Sequence, residues 1–227
     1  MTRVVGGGLG RSPFGPQWVG GKETPQSVAA QVEDALFGRK KPTVLDPDDA
    51  EAGPLLAKLQ PYRKKLARLA GDQEDDYRLV LAAGTIASID QGGTVYVGRS
   101  FLLATPFEIQ VGALAHEIGH RPQLWAQYRQ NQPMEPEALE ELLRLEETRA
   151  DYFAGWALGQ LGFSVEPLAK FLEALEDGPH PEYLAATLRG KTLREGHQAG
   201  HLRKKNLKKF FPELARMRSV SGDLGEG

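Results

Sequence analysis

Apolar positions recur along this chain first with a helical period, then with a strand-like one, then again as helices. Thr24-Pro25 reads as an N-cap followed by proline at the first helical position, and Val28, Val32 and Leu36 then share one face of a short helix that Gly38 stops. From Leu55 to Leu69 the apolar residues Leu55, Leu59, Tyr62, Leu66 and Leu69 alternate spacings of four and three, which predicts a second helix, kinked or restarted at Pro61. Its basic residues Arg63, Lys64, Lys65 and Arg68 read as a solvated face. At Tyr77 the period changes. The runs YRLVLAA and TVYVGRSFLL are rich in β-branched and aromatic residues, with Gly92-Gly93 as a turn between them, and predict two or three strands.

Thr105-Pro106-Phe107-Glu108 is a capping-box sequence with proline at the first helical position, and it opens a helix whose buried face is Val111, Leu114, Ala115 and Ile118. Pro122 bars much continuation beyond Arg121. A long helix follows from about Glu137 to Gly159, acidic in its first turns, with Leu139, Leu143, Ala150, Ala154 and Leu158 inward. Glu147 and Asp151 fall on this same stripe, and two carboxylates on a buried face are costly unless positive charge meets them. Glu166-Pro167 opens another helix with Leu168, Phe171, Leu172 and Leu175 inward, closed by Gly178. After Pro179-His180-Pro181, a less regular helical stretch runs from Tyr183 towards His201.

These elements predict a mainly helical α+β protein with a small sheet. Residues 1–22 form a Gly/Pro-rich arm with Phe14 and Trp18 as its apolar anchors, residues 23–212 one domain, and residues 213–227 a tail. A hydrophobic content of 41% in 227 residues supports a single sizeable core. The net charge of −2 argues against a nucleic-acid or anionic-membrane partner, and the basic run Arg203 to Lys209 reads as the solvated side of an amphipathic helix. No stretch reaches the length of a membrane span and the amino terminus lacks the apolar run of a secretory signal, so a cytoplasmic location is expected; signal-independent export leaves the same sequence.

Cysteine is absent, so any metal must be held by His, Asp or Glu. Ala115-His116-Glu117-Ile118-Gly119-His120 then becomes the centre of interest. On a helix His116 and His120 stack one turn apart, where both imidazoles can meet one cation, and Glu117 can reach a water on that cation. A catalytic zinc takes three protein ligands, and Glu147, inward on the next helix, is the best-placed third. Asp151, one turn on, can accept the free ring N–H of a ligand histidine. The plainer alternatives are surface histidines beside a solvated glutamate, and an acidic stripe paired with Arg or Lys. His197 and His201 repeat the spacing without a glutamate between them, and read as a helix face.

HEIGH followed by Glu147-Thr148-Arg149-Ala150-Asp151 resembles the HExxH and ExxAD pair of gluzincin metallopeptidases, specifically the family of HtpX and the CAAX prenyl proteases with their soluble relatives. The resemblance covers roughly residues 77–181. It implies a zincin-like domain with the small sheet beside the HExxH helix, Zn2+ on His116, His120 and Glu147, Glu117 as general base and Asp151 behind the ligands. The implied reaction is hydrolysis of peptide bonds in an extended or unfolded protein substrate, with Glu117 activating a zinc-bound water. The family's fold further implies that the strand containing Thr94, Val95, Tyr96 and Val97 offers its edge to substrate. His180 is expected either to line the site, to close over the metal, or to be a plain surface-loop histidine, and Tyr183 and Tyr152 are candidates for the oxyanion. Where relatives often carry an arginine after the His-Pro loop this chain has Ala186, with Arg189 and Arg194 the nearest basic residues downstream. The alternative function is a zincin-like binding or regulatory module with a structural or blocked metal site.

Overall fold

The computed structural model describes residues 27–37, 41–127, 133–175 and 186–201. The first helix, α1, spans Val28–Phe37. Ser27 caps it, its hydroxyl accepting the Ala30 N–H at 3.2 Å, and Val28 and Val32 are buried. Thr24-Pro25 and Gly38 lie outside the described residues. Helix α2 spans Gly53–Ala70 without interruption at Pro61, which sits on its exposed side. There the carbonyl that loses its partner belongs to exposed Ala57 and can turn to water. Lys64, Lys65 and Arg68 lie on the outer side of the helix, but Arg63 does not. Position 63 lies four after buried Leu59 and three before buried Leu66, on the seam itself, and its guanidinium donates to the carbonyls of Glu74 and Tyr77.

The strands are β1 (Thr43–Val44), β2 (Arg78–Ala83), β3 (Ala87–Ile89) and β4 (Thr94–Gly98), in the order β1-β2-β4-β3. β2 and β4 run parallel, while β1 and β3 are antiparallel to their neighbours. The Gly92-Gly93 turn joins β3 to β4 as expected: Gly93 has φ +77°, and the Asp90 carboxylate accepts the N–H groups of Gly92 and Thr94 at 3.0 and 2.8 Å. β4 is therefore an interior strand, hydrogen-bonded on both sides. The expectation that Thr94, Val95, Tyr96 and Val97 present an edge is overturned, because a short β3 folds back and occupies that side. The strand expected from the second run also ends early: Arg99–Ala104 is a helix, α3, in which adjacent Phe101 and Leu102 turn inward while Leu103 is exposed.

Helix α4, Phe107–Gly119, carries the HExxH and is buried from Ile109 to its end. The capping box at Thr105 does not form. The Thr105 hydroxyl instead donates backwards to the Phe101 carbonyl at 2.7 Å, closing α3, and α4 starts after Pro106. Helix α5, Pro136–Leu161, crosses α4 where a Cβ at Gly119 would stand 2.9 Å from the Ala150 Cα, so glycine permits the two backbones to meet there. Helix α6, Glu166–Leu175, packs Leu168 onto Gly112 of α4. Helix α7, Ala186–His201, lies along α5 at backbone contact: a Cβ at Gly155 would meet the Leu193 carbonyl at 1.9 Å, and one at Gly196 the Tyr152 carbonyl at 2.2 Å.

The architecture is thus mainly helical with a small mixed sheet, as the periodicity predicts at the level of fold class. No described helix is long and apolar enough to cross a membrane. Arg63→Met is expected to strand two carbonyls and lower stability by about 1–3 kcal/mol in urea unfolding, whereas Lys64→Ala on the outer side should stay within about 0.5 kcal/mol.

Candidate metal centre

The last turns of α4 bring the rings of His116 and His120 within 4.8 Å of each other, at right angles. α5 faces them. Glu147 Oε2 lies 3.4 Å from His116 Nε2, and Glu147 Oε1 lies 3.6 Å from His120 Nε2. Among the described residues these three form the one His/carboxylate group able to hold a metal, one donor atom from each falling within 4.8 Å of the others. Donors placed about 2.0–2.1 Å from a tetrahedral zinc stand about 3.3–3.4 Å apart, so the separations between Glu147 and the two imidazoles are close to the edges of such a site.

Behind the donors, Asp151 Oδ1 sits 2.9 Å from His116 Nδ1, which leaves Nε2 as the atom turned to Glu147. Among the described residues neither buried Nδ1 makes a hydrogen bond of regular geometry: His116 Nδ1 meets Asp151 as a close contact, and His120 Nδ1 lies 4.0 Å from Glu146 Oε2. The His120 carbonyl, by contrast, is held firmly: it accepts the Trp125 indole N–H at 3.2 Å and a guanidinium N–H of Arg149. Arg149 also donates to the Gly119 carbonyl at 3.1 Å and pairs with Glu146, so it closes the carboxyl end of α4 with positive charge from another helix.

Arg189 of α7 completes the surroundings. Its Nε and Nη2 donate to Asp151 at 2.7 and 2.9 Å, and Nη2 reaches Glu147 Oε2 at 3.2 Å. The stripe on α5 is therefore paired with arginine and meets the imidazoles as well, so two readings that compete in the sequence coexist in the structure. Glu117 is different. It is 4% exposed, and among the described residues it has neither a hydrogen-bond nor an ion-pair partner.

The electrostatics follow from this enclosure. Burial works to lower the His116 pKa, but Glu147 and Asp151 outweigh it and bring it up to about 10. For His120 burial prevails and takes it down to about 3. Burial pushes the Glu117 carboxyl up to about 7. Burial opposes ionisation of Glu147 and Asp151 too, yet His116 and Arg189 hold both below the usual carboxylate range, Asp151 at about 2. With neutral imidazoles, the buried carboxylates Glu117, Glu146, Glu147 and Asp151 face two guanidiniums, Arg149 and Arg189. Counted with all four acids ionised, two negative charges are left over, which a divalent cation would balance; without a cation, a protonated His116 balances one of them. Donor set and spacing suit a divalent metal ion, zinc among them.

Not every expected residue joins the cluster. His180 and Tyr183 lie outside the described residues. Tyr152 is half-buried beside Glu195, on the side of α5 turned to α7. Thr94 to Val97 stay in the interior strand. His197 is engaged by the Phe163 carbonyl at 2.9 Å and stacks on His201, in keeping with a helix face. Arg194 turns away to Glu166 and Glu173. Sequence reasoning misses Glu146 and Arg149 and does not assign Arg189. The available signal is the pair of G-x-x-x-G spacings, Gly155/Gly159 and Gly196/Gly200, which mark α5 and α7 as helices able to touch.

Metal analysis is expected to find one zinc per chain in wild type and none in His120→Ala or Glu147→Ala. At free zinc 100-fold above Kd, the wild type should gain about 2.7 kcal/mol over the chelator-treated protein in unfolding experiments. No family model, curated protein or solved structure matches the chain.

Proposed function

We propose that this chain is a zinc-dependent metalloendopeptidase of the HExxH type. The observation that carries the reading is Glu117, a largely buried carboxylate beside a His-His-Glu donor set that has no hydrogen-bond or ion-pair partner among the described residues, whereas Glu146, Glu147 and Asp151 are all paired. A buried, unpartnered carboxylate is costly, and a structural metal site has no use for one. The resemblance of HEIGH and ETRAD to the gluzincin motif pair supports the same reading.

His116, His120 and Glu147 would hold zinc, which when bound supplies Lewis acidity to polarise a peptide carbonyl and to lower the pKa of water towards about 7. The Glu117 carboxylate accepts the proton that the attacking water loses and delivers it to the amide nitrogen as the C–N bond breaks. Asp151 lies against the Nδ1 edge of His116, and Arg149 and Trp125 hold the backbone carbonyl of His120, which orients the ligands towards substrate. The proposed substrate is an extended or unfolded protein segment. The edge strands of the sheet are β1 and β3 rather than β4, and of the two only β1 is exposed, so β1 is the edge open to it.

One observation favours a second reading, a structural or blocked metal site in a binding module: His116, the most open of the donors and Glu117, is only 7% exposed. Digestion of casein with and without chelator tests general proteolysis. Glu117→Gln should keep fold and zinc while lowering turnover by about 10²–10⁴. Comparing protein amino termini in cells carrying wild type or Glu117→Gln detects a dedicated target that casein would miss. Identical termini in the two strains, with casein intact, would overturn the peptidase and leave the second reading.

A further inference from the structure

We infer that Arg189 is a positioning residue for the metal centre, and that it ties zinc affinity to the docking of α7, a helix that supplies no ligand. The inference rests on the reading that His116, His120 and Glu147 hold a cation. Arg189 is 7% exposed, and one guanidinium touches two carboxylates with different tasks. Its two-pronged contact with Asp151, at 2.7 and 2.9 Å, fixes the acid that meets His116 Nδ1. Its contact with Glu147 Oε2 at 3.2 Å fixes the carboxylate whose other oxygen faces His120 Nε2. Glu147 and Asp151 stand one turn apart on α5, and without a cation between them like charges would drive them to separate rotamers. A planar fork spans both, which a lysine ammonium cannot do with the same geometry.

Arg189 reaches this place only because α7 lies directly against α5. Gly196, two turns further along, leaves no room for a Cβ beside the Tyr152 carbonyl, and Gly200 none beside the Trp156 carbonyl. Whatever holds α7 down therefore holds Arg189 in the site. By linkage, zinc must hold α7 down in return.

The sign of the effect separates positioning from simple charge balance. A guanidinium this near a ligand repels a cation, so if Arg189 served only to balance charge, removing it would tighten zinc binding. If it positions Glu147 and Asp151, removing it weakens binding.

The test is zinc affinity of the full chain, measured by competition with a chromophoric chelator, together with hydrogen exchange across residues 186–201. Arg189→Met is expected to lose about 10- to 100-fold in zinc affinity, the range for removed partners of metal ligands. Arg189→Lys, which keeps the charge but not the fork, should also bind zinc more weakly than wild type. Gly196→Ala, which leaves every charge in place, should speed α7 exchange and lower zinc affinity. In wild type, zinc should slow exchange in α7, a readout that needs no variant to fold. Zinc binding by Arg189→Met equal to or tighter than wild type overturns the inference. So does unchanged zinc affinity in Gly196→Ala, or zinc that protects α4 and α5 but not α7. A wild type that binds no zinc instead overturns the metal reading beneath it.

Discussion

Three carboxylates within six residues of one helix, Glu146, Glu147 and Asp151, are all buried, and the rest of the site is arranged to make that tolerable. Carboxylates withdrawn from water require positive charge or donors nearby, and α5 supplies Arg149 from its own length. The remainder arrives from elsewhere: two imidazoles from α4, a guanidinium from α7 and an indole N–H from the segment after α4. The acidic stripe thus draws distant parts of the chain to one point, and the candidate metal centre is where they meet.

Backbone proximity makes this convergence possible. At Gly119 and Ala150 the HExxH helix and the acidic helix come so close that a larger residue than glycine would separate them, and the donors sit within a turn of that contact. Where α5 meets α7, the glycines of both helices allow a second contact of the same kind. Short side chains at the crossings leave the long ones, Arg149 and Arg189, to span what remains. The acids of the cluster consequently divide their labour. Glu147 and Asp151 are paired and kept ionised, suited to holding a ligand geometry, whereas Glu117 is left unpaired and is the group free to take up and release a proton in the proposed hydrolysis.

Much of this arrangement is legible in the amino-acid sequence because it is local. An i,i+4 pair of histidines must share a helix face, and the inward stripe of the following helix already points Glu147 and Asp151 at whatever packs there. The turn at Gly92-Gly93 follows from residue type, and so do the ends of the long helices to within a few positions. Arg63 departs from expectation although the apolar seam runs through position 63: charge alone assigns a basic residue to solvent, while two loop carbonyls give this one a buried destination. Thr105 departs because its hydroxyl has two possible partners, and the backward one, in the preceding helix, wins.

Residue order alone dictates the helical period, the metal-competent spacing of His116 and His120, the companion acids on the next helix and the exclusion of thiolate chemistry. Packing in three dimensions makes β4 interior, shares the acidic stripe between imidazoles and arginines, and brings Arg189 rather than Arg194 into the site. The physical reason is range. Helix faces and turns depend on residues within a turn of one another, whereas strand order and charge pairing between helices depend on which backbones come within reach, and the spacing of a few glycines hints at that without naming the partner.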